Sequence, residues 1–169
     1  MFSEQFGHGV PDIAGNQGSL PYATKKPTYT IGHSNRTLEE FFDVLTHFRI
    51  EVLVDVRRFP TSKWDWFKRE NLAAALALKG IRYVQMGQEL GGFRKGGYQE
   101  HMKSETFAAG IERLVKMADE QRVAIMCAER IVFRCHRRFI SMTLQSRGFE
   151  VIHIVDKQQT IQLRTLDSA

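Results

Sequence analysis

The sequence is poor in cysteine and in long apolar runs, and it lacks the familiar phosphate- and metal-binding fingerprints. Two cysteines in 169 residues, Cys127 and Cys135, exclude a disulfide-stapled fold. With 43% hydrophobic residues the chain can bury a sizeable core without such staples. No apolar stretch approaches the ~18 residues that a membrane span requires. No N-terminal segment joins basic residues to an apolar run, so a signal peptide is not expected and the chain is read as cytoplasmic, with reduced thiols. Neither the dinucleotide pattern GxGxxG nor a P-loop occurs. The position after Cys127 that a phosphatase-type loop gives to arginine is Phe133. Cys127, Glu129, Cys135 and His136 lack the close CxxC or HxxxH pairs of zinc modules, so no metal and no cofactor is expected. Sequence repeats and coiled-coil heptads are absent.

What the chain does contain is an alternation of strand-like and helix-like segments behind an irregular start. Residues 1–28 are rich in Gly, Pro, Ser, Asn and Gln and are read as a tail, and residues 29–169 as one α/β domain. Strand-like runs occupy Tyr29–Ile31, Val52–Val56, Ile81–Met86, Val123–Cys127 and Phe149–Val155, with a short edge strand possible at Thr160–Leu163. Between them, Thr37-x-x-Glu40 forms a capping box ahead of an apolar stripe at helical spacing. Helices are also expected over Glu70–Lys79, from Ser104 onward, and over Phe133–Arg147. The stretch Gly87–Lys103 reads as a long polar loop. These βαβ units predict a three-layer α/β fold with a mostly parallel sheet of about five strands and helices on both faces.

In such a sheet, ligands bind beyond the carboxyl ends of the strands. Those ends carry the chemistry here, whereas the opposite ends carry plain residues. His33 and Ser34 follow the first strand, Asp55 and Arg57 the second, Glu89 the third. Cys127, Glu129, Cys135, His136 and Arg137 follow the fourth, with His153 on the fifth. Asp55 and Arg57, two apart, share one face and can pair. Arginines at the start of the helix after strand four oppose the helix dipole unless an anion sits there, which points to an anion-binding pocket. In this positive turn Cys135 is either a nucleophile with lowered pKa or a small packing residue. Glu129 is either a general base or nucleophile, or one half of a structural Glu–Arg pair. The net charge of +5 fits an anionic partner. Trp64, Trp66 and Phe67, interleaved with Lys63, Lys68 and Arg69, can stack on bases or cap the core.

The segments TIGHSNR (Thr30–Arg36), LVDVRRFP (Leu53–Pro60), ELGG (Glu89–Gly92), MCAE (Met126–Glu129), CHR (Cys135–Arg137) and VIHI (Val151–Ile154) resemble, in order, the DUF488 family of uncharacterised bacterial and archaeal proteins. The resemblance implies a shared site at His33, Ser34, Asp55, Arg57, Glu89, Cys127, Glu129, Cys135, His136 and Arg137, and it implies no reaction. The reading that joins these residues is an enzyme, a hydrolase or transferase, acting on a small anionic substrate of the nucleotide, nucleoside or modified-base class. Glu129, His33, Asp55, Cys135 and His136 would carry the chemistry, and Ser34, Arg57, Glu89 and Arg137 would hold the substrate. Two alternatives stand beside it: a non-catalytic module binding nucleic acid or a nucleotide, and a thiol- or metal-dependent protein using Cys127 and Cys135.

Overall fold

A computed structural model describes residues 25–163 of the chain. Most of the tail expected at residues 1–28 lies outside the described residues, and its last residue opens the first strand. That strand, β1, spans Thr28–Gly32. It is followed by α1 (Leu38–His47), β2 (Val52–Asp55), α2 (Arg69–Leu78) and β3 (Arg82–Gln85). Two single turns, α3 (Gly87–Leu90) and α4 (Tyr98–His101), then precede α5 (Glu105–Glu120), β4 (Val123–Cys127), α6 (Arg137–Ser146), β5 (Val151–Ile154) and the short β6 (Thr160–Ile161). The capping box forms as read: Thr37 accepts from the Glu40 backbone, and the Glu40 side chain accepts from the Thr37 backbone. Ser104 caps α5 by accepting from the Phe107 backbone N–H.

The sheet runs β3-β2-β4-β1-β5-β6, parallel throughout except for the antiparallel β6 edge. Strand alternation sorts the buried side chains onto two faces. Tyr29, Ile31, Leu53 and Met126 pack with Phe41, Leu45, Leu72 and Leu76 of α1 and α2. Val52, Val54, Val123 and Ile125 pack with Ile111, Leu114, Ile140 and Leu144 of α5 and α6. Helices therefore cover both faces, the three-layer arrangement that the near-continuous apolar strands require. The chain leaves β2 toward β3 on one side and leaves β4 toward β5 on the other. These neighbouring strands send their loops in opposite directions, which opens a crevice above the β2/β4 pair.

Two expectations are corrected. Gly87–Lys103 is not a plain loop. It winds into α3 and α4, which are clamped together by hydrogen bonds from Tyr98 Oη to the Leu90 carbonyl (2.8 Å) and between His101 Nε2 and the Glu89 carbonyl (2.7 Å). The last long helix does not start at Phe133. Val132–Arg134 form a separate 3₁₀ turn, Cys135 is extended (φ −127°, ψ 150°), and α6 begins at Arg137. The extended residue brings the Cys135 sulfur beneath the Arg137 backbone N–H (3.4 Å), where a continuous helix would have carried it away.

β1 ends on a close approach. A Cβ on Gly32 would stand 1.8 Å from the Glu129 carbonyl oxygen. Gly32→Ala must push the segment after β4 away from the sheet, and it is expected to lower unfolding free energy by about 1–3 kcal/mol or more, as overpacking does in cores. Urea denaturation checks this.

Candidate active site

The segments after β2, β3 and β4 line a cavity of about 670 Å³ over the crevice, with Tyr98 of α4 on its wall. Its wall carries five arginines, Arg57, Arg58, Arg94, Arg134 and Arg138, and one carboxylate, Glu129. Among the described residues only Arg57 of the five is ion-paired with a carboxylate. Arg58 donates to the Phe93 carbonyl and Arg94 to three carbonyls of α3 and its end, which fixes them along the wall. Phe59, Phe93 and Phe133 line the same cavity and remain 63%, 89% and 50% exposed. Cys127 and Cys135 lie at its base.

The two sulfurs are 2.8 Å apart, and both cysteines are free. Arg137, from the first turn of α6, turns back into the protein and is only 1% exposed. Its Nε donates to Cys127 Sγ (3.0 Å) and its Nη1 to Thr30 Oγ1 (3.0 Å), while Nη2 donates to the Glu129 carbonyl. Among the described residues no carboxylate pairs with it. A buried cation requires a compensating charge, and the groups around this guanidinium that can supply one are the two sulfurs. Cys135 is where it settles. Its Sγ accepts from Cys127 and from the Arg137 backbone N–H at the start of α6, where negative charge is favoured. The hydrogen bond from Cys127 outweighs the opposing effect of burial and, with His136 and Arg137, brings the Cys135 thiol down to about 3. Burial, with that same hydrogen bond, pushes the Cys127 thiol well up, so Cys127 keeps its proton.

His136 stands beside the pair. Its Nε2 faces the Val56 carbonyl (3.2 Å), an acceptor, so Nε2 carries the ring proton. Its Nδ1 lies 3.7 Å from Cys135 Sγ, near enough to exchange a proton with a group bound at that sulfur. Gly92 gives the ring its room: a Cβ there would meet Nδ1 at 3.0 Å. Beneath Arg137 the polar chain continues. Thr30 Oγ1 accepts from Arg137 and so donates to His153 Nδ1 (2.8 Å), which leaves the His153 Nε2–H buried without a partner among the described residues. Burial, with the nearby Arg137 charge, lowers the His153 pKa to about 4 and keeps it neutral.

The other expected residues form a second network on the opposite face of the sheet. Asp55 is fully buried and accepts from Arg57 Nε and Nη2 (2.9 and 2.6 Å) and from Tyr83 Oη (2.6 Å). Burial would lower the Arg57 pKa, but the Asp55 hydrogen bonds and charge raise it. Arg57 Nη1 also meets His33 Nε2 (3.4 Å), while His33 Nδ1 donates to the Ser34 carbonyl and the ring stacks on Phe67 at 4.3 Å. Burial first, and Arg57 second, lower the His33 pKa to about 4.

The structure thus brings Cys127, Glu129, Cys135 and His136 together at the cavity with Arg57 at its edge. Arg137 holds the sulfur pair from below. His33, Ser34 and Asp55 lie behind the wall rather than in it, and Glu89 faces away, paired with Arg113 at 3.1 Å. Glu129 directs its backbone, not its carboxylate, to Arg137, so the structural Glu–Arg pair does not form there. Trp64 and Trp66 pack against the α1/α2 core, and the Trp66 indole donates to the Arg36 carbonyl, which favours the cap reading. Thr30 and Tyr98 escaped the sequence reading. Thr30 had a signal, a polar residue inside an otherwise apolar strand. Tyr98 had none, because its place depends on α4 folding back. Among the described residues no group of three His, Cys, Asp or Glu side chains is placed to hold a metal ion, and no helix is long and apolar enough to cross a membrane.

A family model described as "Domain of unknown function DUF488" matches residues 37–144, a stretch that includes both walls of the cavity. No curated protein matches the chain.

The sulfur pair gives stability a definite pH dependence. A thiol lowered to about 3 from its ordinary 9.0 binds fewer protons folded than unfolded across that window. Its stabilisation is complete above the unfolded value and is lost as pH falls toward the folded one. The stability of the wild type relative to Cys135→Ser is therefore expected to rise with pH from about 3 to about 9. Urea denaturation of both proteins across this range measures it, and a difference flat in pH would mean that Cys135 is not ionised in the fold.

Proposed function

This chain belongs to the DUF488 family, whose description assigns no reaction, and we propose that it is an enzyme of the transferase or hydrolase type that uses the Cys135 thiolate as nucleophile on a substrate pairing an anionic group with an aromatic ring, the nucleotide or nucleic-acid-base class. The observation that carries this reading is a cysteine, held ionised by a hydrogen-bonded neighbour, at the base of a cavity walled by five arginines. Arg134 and Arg138 stand at the mouth, and planar guanidinium groups suit phosphate recognition. Exposed Phe59, Phe93 and Phe133 supply faces on which a base can stack. His136 Nδ1, 3.7 Å from Cys135 Sγ, exchanges protons with the groups that leave from or attack at that sulfur, the work of an acid–base partner of a nucleophile. Glu129, exposed at the rim with its carboxylate unengaged among the described residues, is the group available to activate a second nucleophile such as water.

The experiment is calorimetric binding to the reduced protein of inorganic phosphate, a nucleoside monophosphate and a short single-stranded oligonucleotide. Each is expected to bind more weakly as salt rises. The nucleotide should bind ~5- to 150-fold more tightly than phosphate, the range that stacking of one base supplies. Arg134→Gln should weaken all three. Cys135→Ser should retain binding while abolishing turnover of whichever nucleotide is processed. Binding without turnover in the wild type would make the protein a binding module instead, and failure of all three ligands to bind would end the reading.

A further inference from the structure

The paired sulfurs allow a chemistry that needs no nucleotide. A nucleophilic thiolate requires one cysteine, yet here a second lies 2.8 Å away, keeps its proton, and is held by Arg137 and by the Glu129 backbone N–H. We propose that Cys135 and Cys127 form a hydroperoxide-reactive dithiol that closes into an intramolecular disulfide, and that closure releases the start of α6 by removing the counter-charge of Arg137.

The steps balance. The Cys135 thiolate attacks one oxygen of a hydroperoxide, the O–O bond breaks, and the alkoxide or hydroxide that leaves takes up a proton as alcohol or water. Cys135 is thereby oxidised by two electrons to the sulfenic acid, and the peroxide is reduced. Cys127 sulfur then bonds to Cys135 sulfur, and the departing hydroxyl combines with the Cys127 thiol proton as water. A disulfide places sulfurs about 2.05 Å apart, so closure asks for roughly 0.8 Å of sulfur movement. Both cysteines line the cavity, through which a small peroxide reaches them.

The charge balance sets this disulfide apart. Neither sulfur in a disulfide carries charge, so oxidation leaves a guanidinium that is 1% exposed with no carboxylate paired to it among the described residues. An uncompensated buried cation is strongly unfavourable. It is relieved only if Arg137 reaches water, which moves the first turn of α6 and the Glu129 carbonyl it holds. Disulfides ordinarily stabilise a fold by constraining the unfolded chain; this one lowers stability, reverts readily with a dithiol reductant, and takes the proposed nucleophile out of use.

The test treats the reduced full chain with one equivalent of hydrogen peroxide and follows it by intact-mass and peptide mass spectrometry. The mass is expected to fall by two hydrogens, with the peptides holding Cys127 and Cys135 cross-linked and dithiothreitol reversing the change. Cys127→Ser should stop at a Cys135 sulfenic acid that adds dimedone, and Cys135→Ser should remain unmodified. The oxidised wild type should melt ~2 to 8 °C below the reduced form, the shift that a loss of about one to two kcal/mol gives a chain of this size. Complete alkylation of both thiols after peroxide, or oxidation of Cys135 beyond sulfenic acid without a cross-link, overturns the dithiol. A melting point that is equal or higher on oxidation overturns the role given to Arg137. None of these measurements involves a nucleotide, so a failure of ligand binding in the reduced protein bears on the substrate reading alone.

Discussion

The Arg137 guanidinium is the group on which the architecture of the site depends. Taking a cation out of water costs several kcal/mol even after relaxation, and proteins usually offset that cost with a carboxylate. Here the offset comes from sulfur, and its consequences spread through three elements. Arg137 belongs to α6, its Nε holds Cys127 at the end of β4, and its Nη1 holds Thr30 in the middle of β1. Its Nη2 fixes the Glu129 carbonyl, the same oxygen against which Gly32 packs without room for a Cβ. One side chain therefore sets where the helix starts and where the loop after β4 lies, and its charge favours ionisation within the sulfur pair beside it. The cost reaches as far as His153, whose buried Nε2–H is left unsatisfied at the end of the chain of hydrogen bonds.

The Asp55–Arg57 pair is the counterpart on the other face of the sheet. Asp55 lies opposite Met126 in the β2/β4 register, so Cys127 is one residue further along and points to the opposite side. The two arginines thus brace the crevice from opposite layers. Arg57 is neutralised by a carboxylate and spends its remaining donors on the Phe67 and Thr61 carbonyls, which fixes the loop after β2. Arg137 is neutralised by a group that can itself react. The first pair is scaffold, and the second couples scaffold to chemistry.

This division explains what the sequence disclosed and what it withheld. Strand count, the parallel sheet, the Thr37 capping box and the Asp55–Arg57 pair follow from local pattern: apolar runs, a four-residue cap motif and a two-residue spacing on a strand. Placement of Cys135, Arg137 and Glu129 near one another followed from the rule that strand carboxyl ends face the crevice. Side-chain direction did not follow. Arg137 reads as an anion-binding arginine at a helix start, and its inward turn depends on Cys127, Thr30 and Glu129 arriving from two strands and a loop. The break at Cys135 was hidden for the same reason, since Phe133–Arg147 carries an unbroken helical pattern and only the tertiary demand for sulfur beneath the Arg137 N–H interrupts it. His33 and Asp55 qualified by residue type and strand position, but the loop after β2 folds over them and leaves Arg57 as the member that meets the cavity.

The electrostatics of the cavity bear on the kind of reaction it suits. With Arg57 neutralised by Asp55, the four guanidinium charges of Arg58, Arg94, Arg134 and Arg138 against the Glu129 carboxylate and one thiolate leave a cationic surplus, which suits the anionic substrate proposed above even though the nucleophile is itself negative. A thiolate stabilised as strongly as that of Cys135 loses intrinsic nucleophilicity as its pKa falls, while its ability to depart from a covalent adduct increases. Such a group attacks only centres already activated, and it releases what it has taken up with little difficulty. Transfer from an activated donor to an acceptor, with water as one possible acceptor, fits that balance better than attack on an unactivated bond. The same reasoning favours hydroperoxides, whose weak O–O bond makes few demands on the attacking sulfur. Both chemistries therefore draw on one physical cause, a negative charge placed on the Cys135 sulfur by the hydrogen bond from Cys127, with His136 and the buried Arg137 beside it.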